Sequence, residues 1–249
     1  MYPPGLGPIL DAGAVAELST GHGDTVLCDV RWYLDGRSGL EAYEAGHLPG
    51  AVFVDLDEHL TAEPGPGVGR HPLPVAEAFA GSMGELGIGP DDTVVAYDDA
   101  GGMSAGRLVW MLRVLGQAAA LLDGGIGAWS GQLETRTPQR TPVDVPVRPW
   151  PDRAFVDIGD VAAGAAGRVL LDARAPERYR GEVEPMDPRA GHVPGAVNAP
   201  FAANLVDGRF LLPADLSDHY RALGVEDATD VVAYCGSGVS ACHDLLAME

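Results

Sequence analysis

Asp230-Val231-Val232-Ala233-Tyr234-Cys235-Gly236-Ser237-Gly238-Val239-Ser240-Ala241 restates, with one change of chemistry, an earlier stretch of the same chain, Thr93-Val94-Val95-Ala96-Tyr97-Asp98-Asp99-Ala100-Gly101-Gly102-Met103-Ser104-Ala105. Each opens on a short β-branched apolar run and passes into a glycine-bearing loop, the pattern of a buried parallel strand that feeds a helix. The change is at the first loop position, where a carboxylate, Asp98, gives way to a thiol, Cys235.

Two further landmarks recur upstream in the same order. Val26-Leu27-Cys28-Asp29-Val30-Arg31 returns as Val169-Leu170-Leu171-Asp172-Ala173-Arg174, and the Gly-His-x-Pro-Gly-Ala turn at 46–51 returns at 191–196. Helix-like segments at Val75 to Leu86 and Asp215 to Leu223 stand between the strands. Alternating strands and helices predict an α/β fold in which a parallel sheet is flanked by helices, present twice in tandem. Residues 135–152 carry five prolines and read as an extended linker between a first domain at 1–134 and a second at 153–249.

Composition narrows the partners. A formal charge of -20 repels nucleic acid and anionic lipid surfaces, so the expected partners are small molecules or proteins. The start MYPPGLGPIL has no basic segment before an apolar core, and no apolar run approaches a bilayer span, which predicts a cytoplasmic protein. Three cysteines without a CxxC pair, and histidines without ligand spacing, predict neither a disulfide framework nor a metal site.

Features shared by both halves belong to the fold, so the GHxPGA turns and the Asp29/Arg31 and Asp172/Arg174 pairs read as structural. The difference at Cys235 is where chemistry belongs: beyond the carboxyl end of a strand, in a loop whose glycines let successive N–H groups turn inward. A free thiol titrates at about 8.5, and a drop of about two units requires about 2.7 kcal/mol. A helix beginning near Val239 supplies only about 0.3–1 kcal/mol, so direct N–H bonds must carry most of any shift. The competing reading is an inert buried cysteine; packing better explains Cys28, inside a strand, and Cys242, on the following helix.

At these residues the chain resembles the tandem-domain rhodanese family, and CGSGVSA resembles the CGSGVTA loop of mercaptopyruvate sulfurtransferases. The resemblance covers nearly the whole chain and implies sulfur transfer from a small-molecule donor through a Cys235 persulfide, without metal or organic cofactor. The implied acceptor is cyanide or a thiol, either a low-molecular-weight thiol or a thioredoxin-like protein. Gly236 and Ser237 are neutral where thiosulfate-using relatives carry basic residues, which favours mercaptopyruvate over thiosulfate. The resemblance further implies a loop of Gly236, Gly238, Val239 and Ser240 around the substrate, Arg178 and Arg180 as cations for its carboxylate, and a Ser237-His71-Asp57 relay. His71 has a plainer reading as a solvated loop histidine, and Arg189 is a displaced counterpart of a further family arginine.

A cysteine phosphatase would need arginine where Ala241 stands. A catalytically weak binding or relay module is the other rival, because the first half continues VLGQAAALLDGGIGAWSGQ, a fifth strand and a further helix, whereas the second half has no counterpart. The expectation is an open strand edge beside the Cys235 strand, and with it weak activity or cover from another segment or subunit.

Overall fold

The structure, a computed structural model, describes residues 5–20, 24–65, 68–162, 168–227 and 229–249. The first half runs β1 (Ile9–Leu10), α1 (Ala12–Thr20), β2 (Thr25–Asp29), α2 (Gly39–Ala45), β3 (Val52–Phe53), α3 (Leu56–His59), α4 (Ala76–Glu85), β4 (Thr93–Tyr97), α5 (Ala105–Val114) and β5 (Ala119–Leu122). The second runs α6 (Ile158–Ala162), β6 (Arg168–Asp172), α7 (Pro176–Tyr179), β7 (Val197–Asn198), β8 (Leu205–Val206), β9 (Arg209–Phe210), α8 (Pro213–Ala222), β10 (Asp230–Tyr234) and α9 (Ser240–Met248).

The first sheet is parallel throughout in the order β1-β5-β4-β2-β3, and the second is a parallel β10-β6-β7 sheet. The repeat extends to register: Asp29 lies opposite Tyr97, and Asp172 opposite Tyr234. Among the described residues β10 pairs on one side alone, with β6, whereas its counterpart β4 lies between β2 and β5. The helix expected after β5 is instead one 3-10 turn, Gly125–Ala128.

The shared motifs are structural in both halves. Asp29 and Asp172 each hold the arginine two residues on at 2.6 Å, and Arg31 and Arg174 then bond the carbonyls of Gly46 and Gly191 at 2.8 and 2.7 Å. In the turns, His47 stacks on Tyr43 and His192 on Tyr179, with ring centres 3.9 and 3.8 Å apart. Each motif thus locks a strand end to the turn that follows it.

The halves share one core. Helix α5 is buried from Ala105 to Arg113, and Val239, Cys242 and Leu246 belong to the same apolar cluster as Val26, Val94 and Leu108. A helix buried all round must be covered on every face, and α9 covers the side that its own sheet does not. The proline-rich stretch lies along the first half: the Val143 N–H bonds the Gly84 carbonyl at 3.0 Å, and the Trp150 indole bonds the Pro74 carbonyl at 2.8 Å.

Candidate active site

Strand β10 ends at Tyr234, and the next residue, Cys235, begins the loop before α9. Gly238 has φ +76°, which lets the chain reverse so that the N–H groups of Ser237 and Gly238 face the Cys235 sulfur at 3.4 and 3.0 Å. The Ser237 hydroxyl stands 3.8 Å from the same sulfur. Burial pushes this thiol up, but the Ser240 hydroxyl and the N–H groups of Ser237 and Ala241 outweigh it, so the net shift is downward. At Cys28 and Cys242 burial wins and raises both, Cys242 to about 12.

The first half holds the same cradle already filled. The Asp98 carboxylate accepts from the N–H groups of Ala100 and Gly102, both at 2.8 Å, and of Ser104 and Ala105 at 2.9 and 3.0 Å. A backbone that wraps four donors around an anion in one copy is an anion cradle in both.

Gly236 is needed for close approach rather than for its torsion. A Cβ there would lie 2.6 Å from Asp187 Oδ2 and 2.8 Å from Arg70 Nη2. Those side chains form an ion pair, and Asp187 also bonds Arg178 at 2.8 Å. Arg178 bonds Glu184 at 2.7 Å, and Arg174 reaches the same carboxylate at 3.3 Å. Burial pushes Glu184 up, yet the Arg178 guanidinium and the N–H groups of Asp187 and Met186 hold it at about 2. On the other side His71 Nε2 contacts Asp57 Oδ1 at 3.0 Å, Trp32 Nε1 donates to Asp57 at 2.9 Å, and His71 Nδ1 is buried without a partner. Burial depresses His71, so it is neutral at pH 7, and a proton on Nε2 facing Asp57 leaves a lone pair on Nδ1.

Two halves of like build, one ending its strand on a thiol and the other on a carboxylate, agree with a domain that occurs twice in the chain. The profile of the rhodanese-like domain matches residues 12–132 and again residues 160–248. The chain belongs to the rhodanese-like family. It is 43% identical over 238 residues to a Pseudomonas aeruginosa protein named "Probable 3-mercaptopyruvate sulfurtransferase", covering 91% of this chain and 83% of the relative. It is 45% identical over 231 residues to SseB of Mycobacterium tuberculosis, named for thiosulfate sulfurtransferase activity, covering 88% and 80%. The crystal structure of SseA from Escherichia coli, a 3-mercaptopyruvate sulfotransferase of rhodanese fold, matches with a TM-score of 0.84 at 30% identity, covering 97% of this chain and 93% of that one.

Within this rhodanese-like site the expected residues fall into three groups. Cys235, Gly236, Ser237 and Gly238 form the loop with Ser240 opening α9, Asp57 and His71 are in contact, and Arg178 joins the cation cluster beside Gly236. The Ser237 hydroxyl makes no hydrogen bond to His71, although the two loops abut, with a Cβ at Gly69 only 3.9 Å from Ser237 Cα. Two expected residues lie apart from these groups. Val239 is 3% exposed and packs in the shared core, because the turn at Gly238 sends its side chain inward, away from a substrate. Arg180 pairs with Glu182 on the surface at 2.7 Å, because the short helix α7 puts it on the opposite side from Arg178. Arg189 is exposed and takes no part in the cluster.

Four residues went unread in the sequence. Arg70 immediately precedes His71, and Glu184 and Asp187 sit before the second GHxPGA turn. Arg107, on α5, bonds the carbonyls of Gly238 at 3.0 Å and of Leu60 and His71 at 3.2 Å. The available signal for Arg107 was a charge among the apolar residues of a helix that has one other, Arg113.

Proposed function

We propose that the chain is a sulfurtransferase that takes sulfur from 3-mercaptopyruvate onto Cys235 and passes it to a thiol or to cyanide, with residues 153–249 as the catalytic domain and 1–134 as its non-catalytic partner. The observation that carries this reading is the pair of equivalent loops, one closed on the Asp98 carboxylate and the other presenting the Cys235 sulfur to the same kind of N–H donors.

The Cys235 thiolate attacks the donor sulfur, an S–S bond forms, and the C–S bond breaks with its electron pair moving to the pyruvate enolate. The proton from the donor thiol ends on the enolate carbon, leaving pyruvate and a Cys235 persulfide anion. The N–H groups of Ser237 and Gly238 stabilise that anion. Arg178 and Arg70 hold the donor carboxylate. Ser237 relays that proton to the enolate carbon, its hydroxyl oriented by a hydrogen bond to His71 Nδ1 after a small movement of the abutting loops. An acceptor thiolate or cyanide then attacks the outer sulfur and restores Cys235. The chemistry suits a cytoplasmic enzyme using a low-molecular-weight thiol or a thioredoxin-like protein as acceptor; no helix here is long and apolar enough to cross a membrane, among the described residues. Thiosulfate is the second reading for the donor, favoured by the name of the mycobacterial relative.

Mass spectrometry after exposure to mercaptopyruvate tests the proposal. One added sulfur atom on Cys235, absent in Cys235→Ser, is the expected result. No adduct with either donor would sink it.

A further inference from the structure

The relatives divide on the donor, and the two donors differ in charge: mercaptopyruvate carries one negative charge at pH 7 and thiosulfate two. Whatever fixes the charge beside Cys235 therefore fixes the choice. Comparison of the two halves isolates the segment that does so. In the first half the stacked Tyr43 and His47 are 4 residues apart; in the second, Tyr179 and His192 are 13 apart. The extra residues occur only in the half that carries Cys235, and they include Glu184 and Asp187.

These two acids stand differently. The Glu184 side chain is 5% exposed and is fixed by the N–H groups of Met186 and Asp187 and by Arg174 and Arg178, so it is a permanent part of the scaffold. Asp187 is 21% exposed, and its carboxylate spans Arg70 and Arg178 with one oxygen on each, directly over Gly236. No backbone N–H holds that carboxylate, among the described residues. It occupies the guanidinium groups that a donor anion would need.

We propose that Asp187 is a specificity-determining residue: it neutralises one of the two arginines that it bridges beside Gly236 and competes with the donor's anionic group, so that the site favours a singly charged donor over a dianion. The proposal rests on the sulfurtransferase reading above. A charge beside the site acts on a dianion with twice the energy that it exerts on a monoanion, so removing it changes thiosulfate binding by about the square of the factor for mercaptopyruvate.

Steady-state kinetics of Asp187→Asn, which keeps the shape and removes the charge, provide the test, with Asp187→Ser as a second variant. Expected is a fall in KM of about threefold for mercaptopyruvate and about tenfold for thiosulfate, with kcat for mercaptopyruvate within about twofold of the parent. A residue that merely supports the arginines would instead lower kcat or raise KM for both donors; that result, or an unchanged ratio of the two kcat/KM values in both variants, overturns the proposal. Failure of the unsubstituted protein to form a Cys235 persulfide with either donor would remove the sulfurtransferase reading itself. A normal persulfide together with an unchanged ratio removes only the role of Asp187.

Discussion

Arg107 is 4% exposed, and its guanidinium gathers one carbonyl from the catalytic loop and two from the first half. A planar fork meets three acceptors at once, and a lysine ammonium on a flexible stem does not. Arg107→Lys keeps the charge and loses the span, and the expected result is a loss of about 2–4 kcal/mol of stability, because buried bonds to a charged donor are worth about 1.5–3 kcal/mol each. With Gly238 no longer anchored, its N–H drifts from the sulfur and the Cys235 thiol titrates higher. Alkylation rate against pH, beside thermal unfolding, checks both; a parental titration curve with a parental melting temperature would remove Arg107 from the site. A companion expectation concerns Gly236→Ala, whose methyl would drive into Asp187 and Arg70. It should raise KM at least about tenfold while leaving the fold intact, since the atoms displaced are ends of flexible side chains. The nucleophile was legible in the sequence because the repeat offered a control, Asp98, at the same position. Of the cation cluster Arg178 alone was legible, since Arg70 comes from one half and Asp187 from the other, and nothing local to either announces their meeting.

At the level of elements, the copied loop behaves as a cap closed on itself. The Asp98 carboxylate satisfies four N–H groups ahead of and within the start of α5, so this helix begins on an internal anion. Asn at this position turns one acceptor into a donor facing two N–H groups. Asp98→Asn should therefore cost about 2–4 kcal/mol, from two lost charge-assisted bonds and two unsatisfied donors. Chemical denaturation measures this, and persulfide formation per folded molecule should stay at the parental level because Cys235 has its own cradle. A variant as stable as the parent would show that the loop is held by other means. Long elements were readable: the expected helices at 75–86 and 215–223 form at Ala76–Glu85 and Pro213–Ala222. The two-residue strands β1, β3, β7, β8 and β9 were not, because such pieces have too few residues for a period to register and exist only where a neighbour pairs with them. The element after β5 misled for a related reason: Gly124 and Gly125 both adopt positive φ and break the helix that the apolar residues suggested.

Across the whole molecule, the seam between the halves is apolar at α5 and α9 and polar at one end, where Asn204, His243 and Asp244 are wholly buried. The open edge of β10 adjoins a groove of about 570 Å³ lined by Leu216, Val231, Leu246 and Met248, so the second half depends heavily on this seam for support. The Asp244 carboxyl accepts from Asn204 Nδ2 at 2.9 Å on one oxygen and has no partner for the other. Burial raises it to about 8, and burial lowers His243, beside it in the chain, to about 4. The two act on stability with opposite sign. Above the unfolded carboxyl value the folded state holds a proton on Asp244 that the unfolded chain has released, so stability falls with pH up to about 8. His243 resists protonation when folded, so its contribution rises between about 4 and its ordinary value of 6.5. These slopes offset one another up to that value, leaving a decline between 6.5 and about 8 that belongs to Asp244 alone. Asp244→Asn keeps the shape of the side chain and removes the titrating proton. The difference in unfolding free energy between variant and parent, taken from urea curves over a pH range of about 5 to 9, cancels the other titrating groups. It should grow in favour of the variant by up to about 1.4 kcal/mol per pH unit from the acid end of that range and level off above about 8. A difference independent of pH would mean that Asp244 is already ionised in the folded seam.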